Sequence, residues 1–146
     1  MKRFLAMIGA LLILLTIPTA WASDDRPIDF EQLPQEAQQF VKLHFADWTV
    51  AYVTLEKGLL SREYKVLFNE GGVIEFNEAG LWKEVETKQE AVPQTLIPSV
   101  VRDYLHINHP KQSVQKIERD KKHYEVELSN GLELKFSHDF RLLSVD

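Results

Sequence analysis

The chain contains no cysteine, which excludes disulfides, a thiolate nucleophile, a cysteine zinc site and a lipid-modified N-terminal cysteine. Glycine and proline are sparse, six of each in 146 residues, so collagen-like and low-complexity classes are excluded as well. Basic residues are in deficit, 17 Lys and Arg against 22 Asp and Glu. A net negative chain is a poor partner for nucleic acid or anionic lipid. Long apolar runs are also missing. The run Phe4 to Ile17 is 14 residues, short of the roughly 18 to 20 that a permanent membrane helix needs.

That run is instead the middle of a secretory signal peptide. Lys2 and Arg3 precede it, and Pro18 and Ala20-Trp21-Ala22 follow it, with small residues where a signal peptidase cuts. Cleavage is expected after Ala22, leaving a single domain, Ser23 to Asp146, periplasmic or secreted, free of the membrane and not a lipoprotein. Its 124 residues carry 15 basic and 22 acidic side chains, a net charge of −7. Without disulfides, its stability rests on burial of apolar surface.

The domain is a tandem repeat. Tyr64 to Glu86 lies over Tyr124 to Asp146 at a constant offset of 60, matching Val66 with Val126, Gly71 with Gly131 and Phe76 with Phe136. Upstream, Leu33 to Val53 lies over Ile97 to Ile117 at an offset of 64, so the first copy holds four extra residues between Val53 and Tyr64. These are expected to lengthen a loop. The two units span about 28–86 and 92–146, with the polar stretch Glu86 to Pro93 as linker.

Each unit reads as a helix of about three turns followed by an antiparallel meander of up to four strands. Pro34 and Pro98 suit a first helical turn, and Ala37, Phe40, Val41 and Val101, Tyr104, Leu105 recur at helical spacing. Alternating segments follow at 49–55, 64–68, 73–76 and 81–85, and at 114–118, 124–128, 132–136 and 142–145. Asn130-Gly131 and Glu70-Gly71-Gly72 are turn signals between them. The predicted class is α+β, with the helices packed on one face of the sheet. Uneven parity along Val50 to Leu55 allows a bulge.

Leu33-Pro34, Phe40-Val41, Tyr64-Lys65-Val66, the run Gly72 to Gly80, and Tyr124 to Leu128 through Asn130-Gly131 to Phe136 resemble the PepSY-like family of exported bacterial proteins. That family is similar in architecture to the β-lactamase inhibitor protein. The resemblance covers nearly the whole domain and implies a periplasmic, non-catalytic protein of binding or inhibitory type. The chain departs from the pattern at Phe140, where the first copy has Gly80.

Catalytic material is scarce: no Gly-x-Ser-x-Gly elbow surrounds any of the seven serines, and no glycine-rich loop opens a helix. His106 and His109 stand three apart at the end of the second helix without the further ligands zinc requires. No cofactor is indicated. Calcium is left open by Asp24, Asp25, Glu70, Glu75 and Glu78, although no Asp-x-Asx-x-Asx-Gly loop occurs.

Two features point to a protein or peptide partner in the cell envelope. Leu59 and Leu60 fall at the tip of the lengthened hairpin, where they either offer an apolar contact or fold back on the core. Tyr52, Leu67 and Trp82 have the counterparts Lys116, Glu127 and Leu142, so the face of the first copy away from the helix is expected to be more apolar. It is read either as a binding surface or as the seam between units. The alternative function is a small-ligand or calcium-binding sensor.

Overall fold

A computed structural model describes residues 25–146; the expected signal peptide lies outside the described residues. Nine strands form one sheet in chain order, every neighbouring pair antiparallel. They are β1 (Asp25–Ile28), β2 (Val50–Lys57), β3 (Arg62–Phe68), β4 (Val73–Phe76), β5 (Trp82–Glu86), β6 (Val114–Arg119), β7 (His123–Leu128), β8 (Glu133–Ser137) and β9 (Leu142–Val145). Helix α1 (Gln35–His44) precedes β2 and α2 (Ser99–Asn108) precedes β6. The expected helix-and-meander repeat is thus observed, and the two meanders merge edge to edge through β5 and β6.

Alternation decides which side of each strand meets the helices. Val53, Val66, Ile74, Val85, Ile117, Val126 and Leu134 are buried on one face, together with Ala37 and Val41 of α1 and Val101 and Leu105 of α2. Phe40 meets Phe76 edge to face at 5.6 Å, and Tyr104 meets Phe136 in the same way at 5.7 Å, so each helix covers its own unit. Pro34 and Pro98 stand one position earlier than expected, as N-caps in extended backbone, before Gln35 and Ser99 begin the helices.

The repeat extends to its irregularities. β2 is bulged between Val50 and Tyr52, and β6 between Val114 and Lys116. Lys83 and Leu143 are skipped in the pairing of β5 and β9. Each bulge inserts one residue and restores the inward facing beyond it.

The four extra residues do not lengthen a loop. They add the rungs Glu56↔Glu63 and Lys57↔Arg62 beyond Leu55↔Tyr64, whose counterpart Arg119↔Tyr124 is the last rung of the second hairpin. Both tips are closed alike, by Gly58 N–H to Ser61 O and by Asp120 N–H to His123 O. The first hairpin therefore projects about 7 Å farther, two residues at strand rise.

β1 had no counterpart in the repeat and was not foreseen. It pairs with β2 as β5 pairs with β6, Ile28↔Val53 matching Val85↔Ile117. Pro27 and the charged Asp25 and Arg26 close this edge against further pairing. The stretch after Glu86 is likewise no free polar linker. Val92 is buried and Thr87 is 2% exposed, the one buried polar side chain among the described residues. The Thr87 hydroxyl donates to Glu90 O (2.6 Å), Thr87 N–H donates to Gln115 O (2.7 Å), and Val92 N–H donates to Val114 O.

Phe140 holds the turn that Gly80 makes in the first unit. It adopts φ 59°, against 81° for Gly80, and both amides donate to the residue three before, Ser137 and Asn77. The Phe140 ring packs on Tyr124 at 5.2 Å, a contact that offsets its left-handed backbone.

Candidate functional site

With both helices on one side, the other side of the sheet is open, and its residues form cross-strand rows. One row begins apolar and turns charged: Tyr52, Leu67, Val73, Glu86, Lys116, Glu127 and Glu133, each opposite the next. The adjacent row is Lys65, Glu75, Glu84, Glu118, Glu125 and Lys135. Four glutamates thus stand directly opposite one another on β4 to β7, an arrangement that like-charge repulsion disfavours.

Lysines compensate part of this charge. Lys65 lies 3.1 Å from Glu75 and 3.6 Å from Glu56, Lys116 lies 3.3 Å from Glu84 and 3.8 Å from Glu118, and Lys135 lies 3.1 Å from Glu125. Lys65 is held above the usual lysine range, chiefly by its hydrogen bond to Glu75. Burial works against the charge of Lys116, but the surrounding glutamates outweigh it and raise its pKa. For Glu84 the balance goes the other way: burial, helped by Glu75 and Glu118, raises its pKa despite Lys116.

The face is therefore divided between the units. Tyr52 is 54% exposed and lies opposite Leu67, with Val73 beyond it. The equivalent positions of the second unit are Lys116, Glu127 and Glu133. An apolar patch meets an acidic one across a single sheet face.

The remaining expected positions are scattered. Leu59 and Leu60 are 99% and 95% exposed at the tip of the projecting hairpin, the end of β2 and β3 away from Tyr52 and Leu67. Trp82 is not on the open face. The bulge at Lys83 turns it to the helix side, where it pairs with Phe76, lies 6.2 Å from Phe40 and packs on the core. Comparison of Trp82 with its counterpart Leu142 carries no sign of that bulge, because the second copy is bulged at the equivalent Leu143.

The calcium candidates do not converge. Asp24 lies outside the described residues, and Asp25 is on β1 opposite Glu56. Both Glu70 carboxylate oxygens accept from Thr49 N–H at 3.1 Å, Glu75 pairs with Lys65, and Glu78 is exposed in the β4–β5 turn. Among the described residues no three His, Asp or Glu side chains are grouped to hold a metal ion, and no helix is long and apolar enough to cross a membrane. The charged rows of the second unit were missed because they exist only across strands. Their one linear trace is the alternation Glu125, Glu127, Glu133, Lys135.

A tandem helix-and-meander protein with one covered and one open sheet face is the class that this geometry defines. The chain belongs to the PepSY-like family: residues 62–144 match the family described as "Putative beta-lactamase-inhibitor-like, PepSY-like". It is similar to a "putative calcium-regulated periplasmic protein" of Bacteroides thetaiotaomicron, with 47% identity and TM-score 0.84 over 86% of this chain and 98% of that one. A "putative periplasmic protein" of Bacteroides vulgatus is 44% identical, with TM-score 0.82 over 86% and 98% of the two chains. A second protein of that organism, described as of unknown function, is 35% identical, with TM-score 0.80 over 84% and 98%. No functionally curated protein matches the chain.

Proposed function

We propose that this protein is a non-enzymatic periplasmic binding or inhibitor-type protein whose open sheet face captures a segment of an envelope protein. The observation that carries the reading is the junction of the exposed Tyr52 and the half-buried Leu67 and Val73 with the glutamates of the second unit. A partner with an apolar anchor beside basic residues would complement both halves, the apolar contact supplying affinity and the acidic field orientation. Leu59 and Leu60 provide a second apolar contact beyond the sheet edge. Export rests on the signal peptide, with cleavage after Ala22, and on relatives described as periplasmic; N-terminal sequencing of the exported protein tests it.

The test of binding is capture from envelope extract by residues 23–146, run beside the double variants Tyr52→Asp, Leu67→Asp and Leu59→Asp, Leu60→Asp. A retained protein that is lost with the first variant and weakened by salt is expected. Identical profiles from the wild type and both variants would refute the reading.

A second, cation-responsive reading rests on the calcium regulation named for the B. thetaiotaomicron relative, with the facing Glu84 and Glu118 as the carboxylate pair it would use. Calcium would have to displace Lys116 from Glu84 and Glu118. The reading requires calcium to raise the melting temperature of the wild type and not of the Glu84→Gln, Glu118→Gln variant; an unresponsive wild type rules it out.

A further inference from the structure

At the hairpin-tip end of the seam between the units, a groove of about 540 Å³ opens beside Trp82, Arg119 and Tyr124. Its size is that of a small-molecule site rather than of a surface wrinkle. Trp82 and Tyr124, with the half-exposed Leu81, supply apolar wall, and His138 lies against Tyr124 at 5.7 Å between ring centroids.

The charge of the groove runs against that of the molecule. Its two carboxylates are already engaged. Glu63 holds Lys83 at 2.6 Å, and Asp120 Oδ1 accepts from Lys122 N–H (2.6 Å) and His123 N–H (2.9 Å) and lies 2.7 Å from His123 Nδ1. Arg119 and Lys121 have no carboxylate partner within ion-pair distance among the described residues. In an acidic protein, the uncommitted charge here is positive.

Arg119 is also held in a set geometry. Its guanidinium lies over the Trp82 ring, 4.0 Å from the centroid, and its Nε–H donates to Trp82 O at 2.9 Å. One N–H of five is used, and the cation–π contact keeps the group against the indole. The two terminal nitrogens remain as a fork for a carboxylate, in surroundings where an aromatic body would be covered.

From this we infer that the Trp82–Arg119–Tyr124 groove is a binding site for a small aromatic carboxylate of amino-acid to dipeptide size. The carboxylate pairs with the Arg119 fork, Lys121 adds long-range attraction, and the aromatic body lies along Trp82 and Tyr124. The site needs both units. The counterpart of Arg119 in the first unit is Leu55, and that of Trp82 in the second is Leu142, so neither unit carries the pair alone.

N-acetyl-L-phenylalanine titrated into ¹⁵N-labelled residues 23–146 tests the assignment through indole N–H resonances, of which residues 23–146 have two, from Trp48 and Trp82. A saturable shift of the Trp82 signal and of Arg119 Nε–H is expected, with Kd of about 1 mM or tighter. The neutral amide of the same compound and the Arg119→Gln variant should each bind at least tenfold more weakly, since each removes a charge-assisted hydrogen bond. The amide acts on unaltered protein, so a loss of fold in the variant does not decide the outcome. No shift of Trp82 up to about 10 mM, or equal response to acid and amide, would overturn the proposal. A peptide ending in Phe that binds where the free compound does not would overturn the small-molecule assignment.

Discussion

Gly80 is the position at which turn chemistry and helix packing meet most closely, and Gly80→Ala separates the two. The residue is buried in the β4–β5 turn at φ 81°, and a Cβ placed there would lie 2.7 Å from Pro34 Cβ and 3.0 Å from Ala37 N at the start of α1. Left-handed backbone costs a non-glycine residue about 1–2 kcal/mol, of which about 0.4–1 kcal/mol is returned by the stiffer unfolded chain. Forcing a methyl against helix backbone adds about 1–3 kcal/mol. The expected loss is about 2–4 kcal/mol, or roughly 8–16 °C in Tm at about 4 °C per kcal/mol for a domain of this size. Gly131→Ala is the control. It has φ 83° and nothing within 4 Å of the added Cβ, so only the backbone term of about 1 kcal/mol applies. Thermal and urea unfolding of both variants, followed by circular dichroism, would give the difference directly. Equal losses would refute the packing of α1 against this turn.

Glu84→Gln should raise stability at about pH 7 by up to about 1 kcal/mol, the scale of one opposed like-charge pair. Because the folded pKa of Glu84 is raised, its protonated form favours the native state; that advantage is full below the ordinary glutamate value and is lost as pH rises through the raised one. The gain of the variant should therefore shrink toward about pH 4, and a gain that does not change with pH would contradict the assignment. Thr87→Val removes the hydroxyl donor to Glu90 O and should cost about 1–2 kcal/mol, with faster amide exchange at Val92 marking release of the linker from β6. The Leu59→Asp, Leu60→Asp variant should unfold within about 0.5 kcal/mol of the wild type, since both side chains are almost fully exposed; a larger loss would mean that the tip packs on the domain.

Much of this architecture was written in local pattern. The repeat offsets locate the strands of each meander, and apolar alternation such as Tyr64, Val66 and Phe68 marks the face that the helices cover. The bulge near Tyr52 was visible as broken parity, and Tyr52 and Leu67 do share the open face. Such features follow from strand period and turn chemistry, which act over a few residues.

Other features depend on which strands become neighbours. The glutamate row arises because Glu84 of the first unit lies opposite Glu118 of the second, a register fixed by fitting Val85 and Ile117 into one core. Trp82 faces the helix side because a single bulge at Lys83 inverts its parity, and its stack with Arg119 exists because β5 and β6 meet. Sequence alone determined a repeated unit with one apolar face, for burying that face is the only way a chain without disulfides can hold the unit together. The joining of the two units, and with it the charged face and the groove at the seam, was decided by tertiary packing, since backbone pairing between β5 and β6 leaves no trace in the periodicity of either strand.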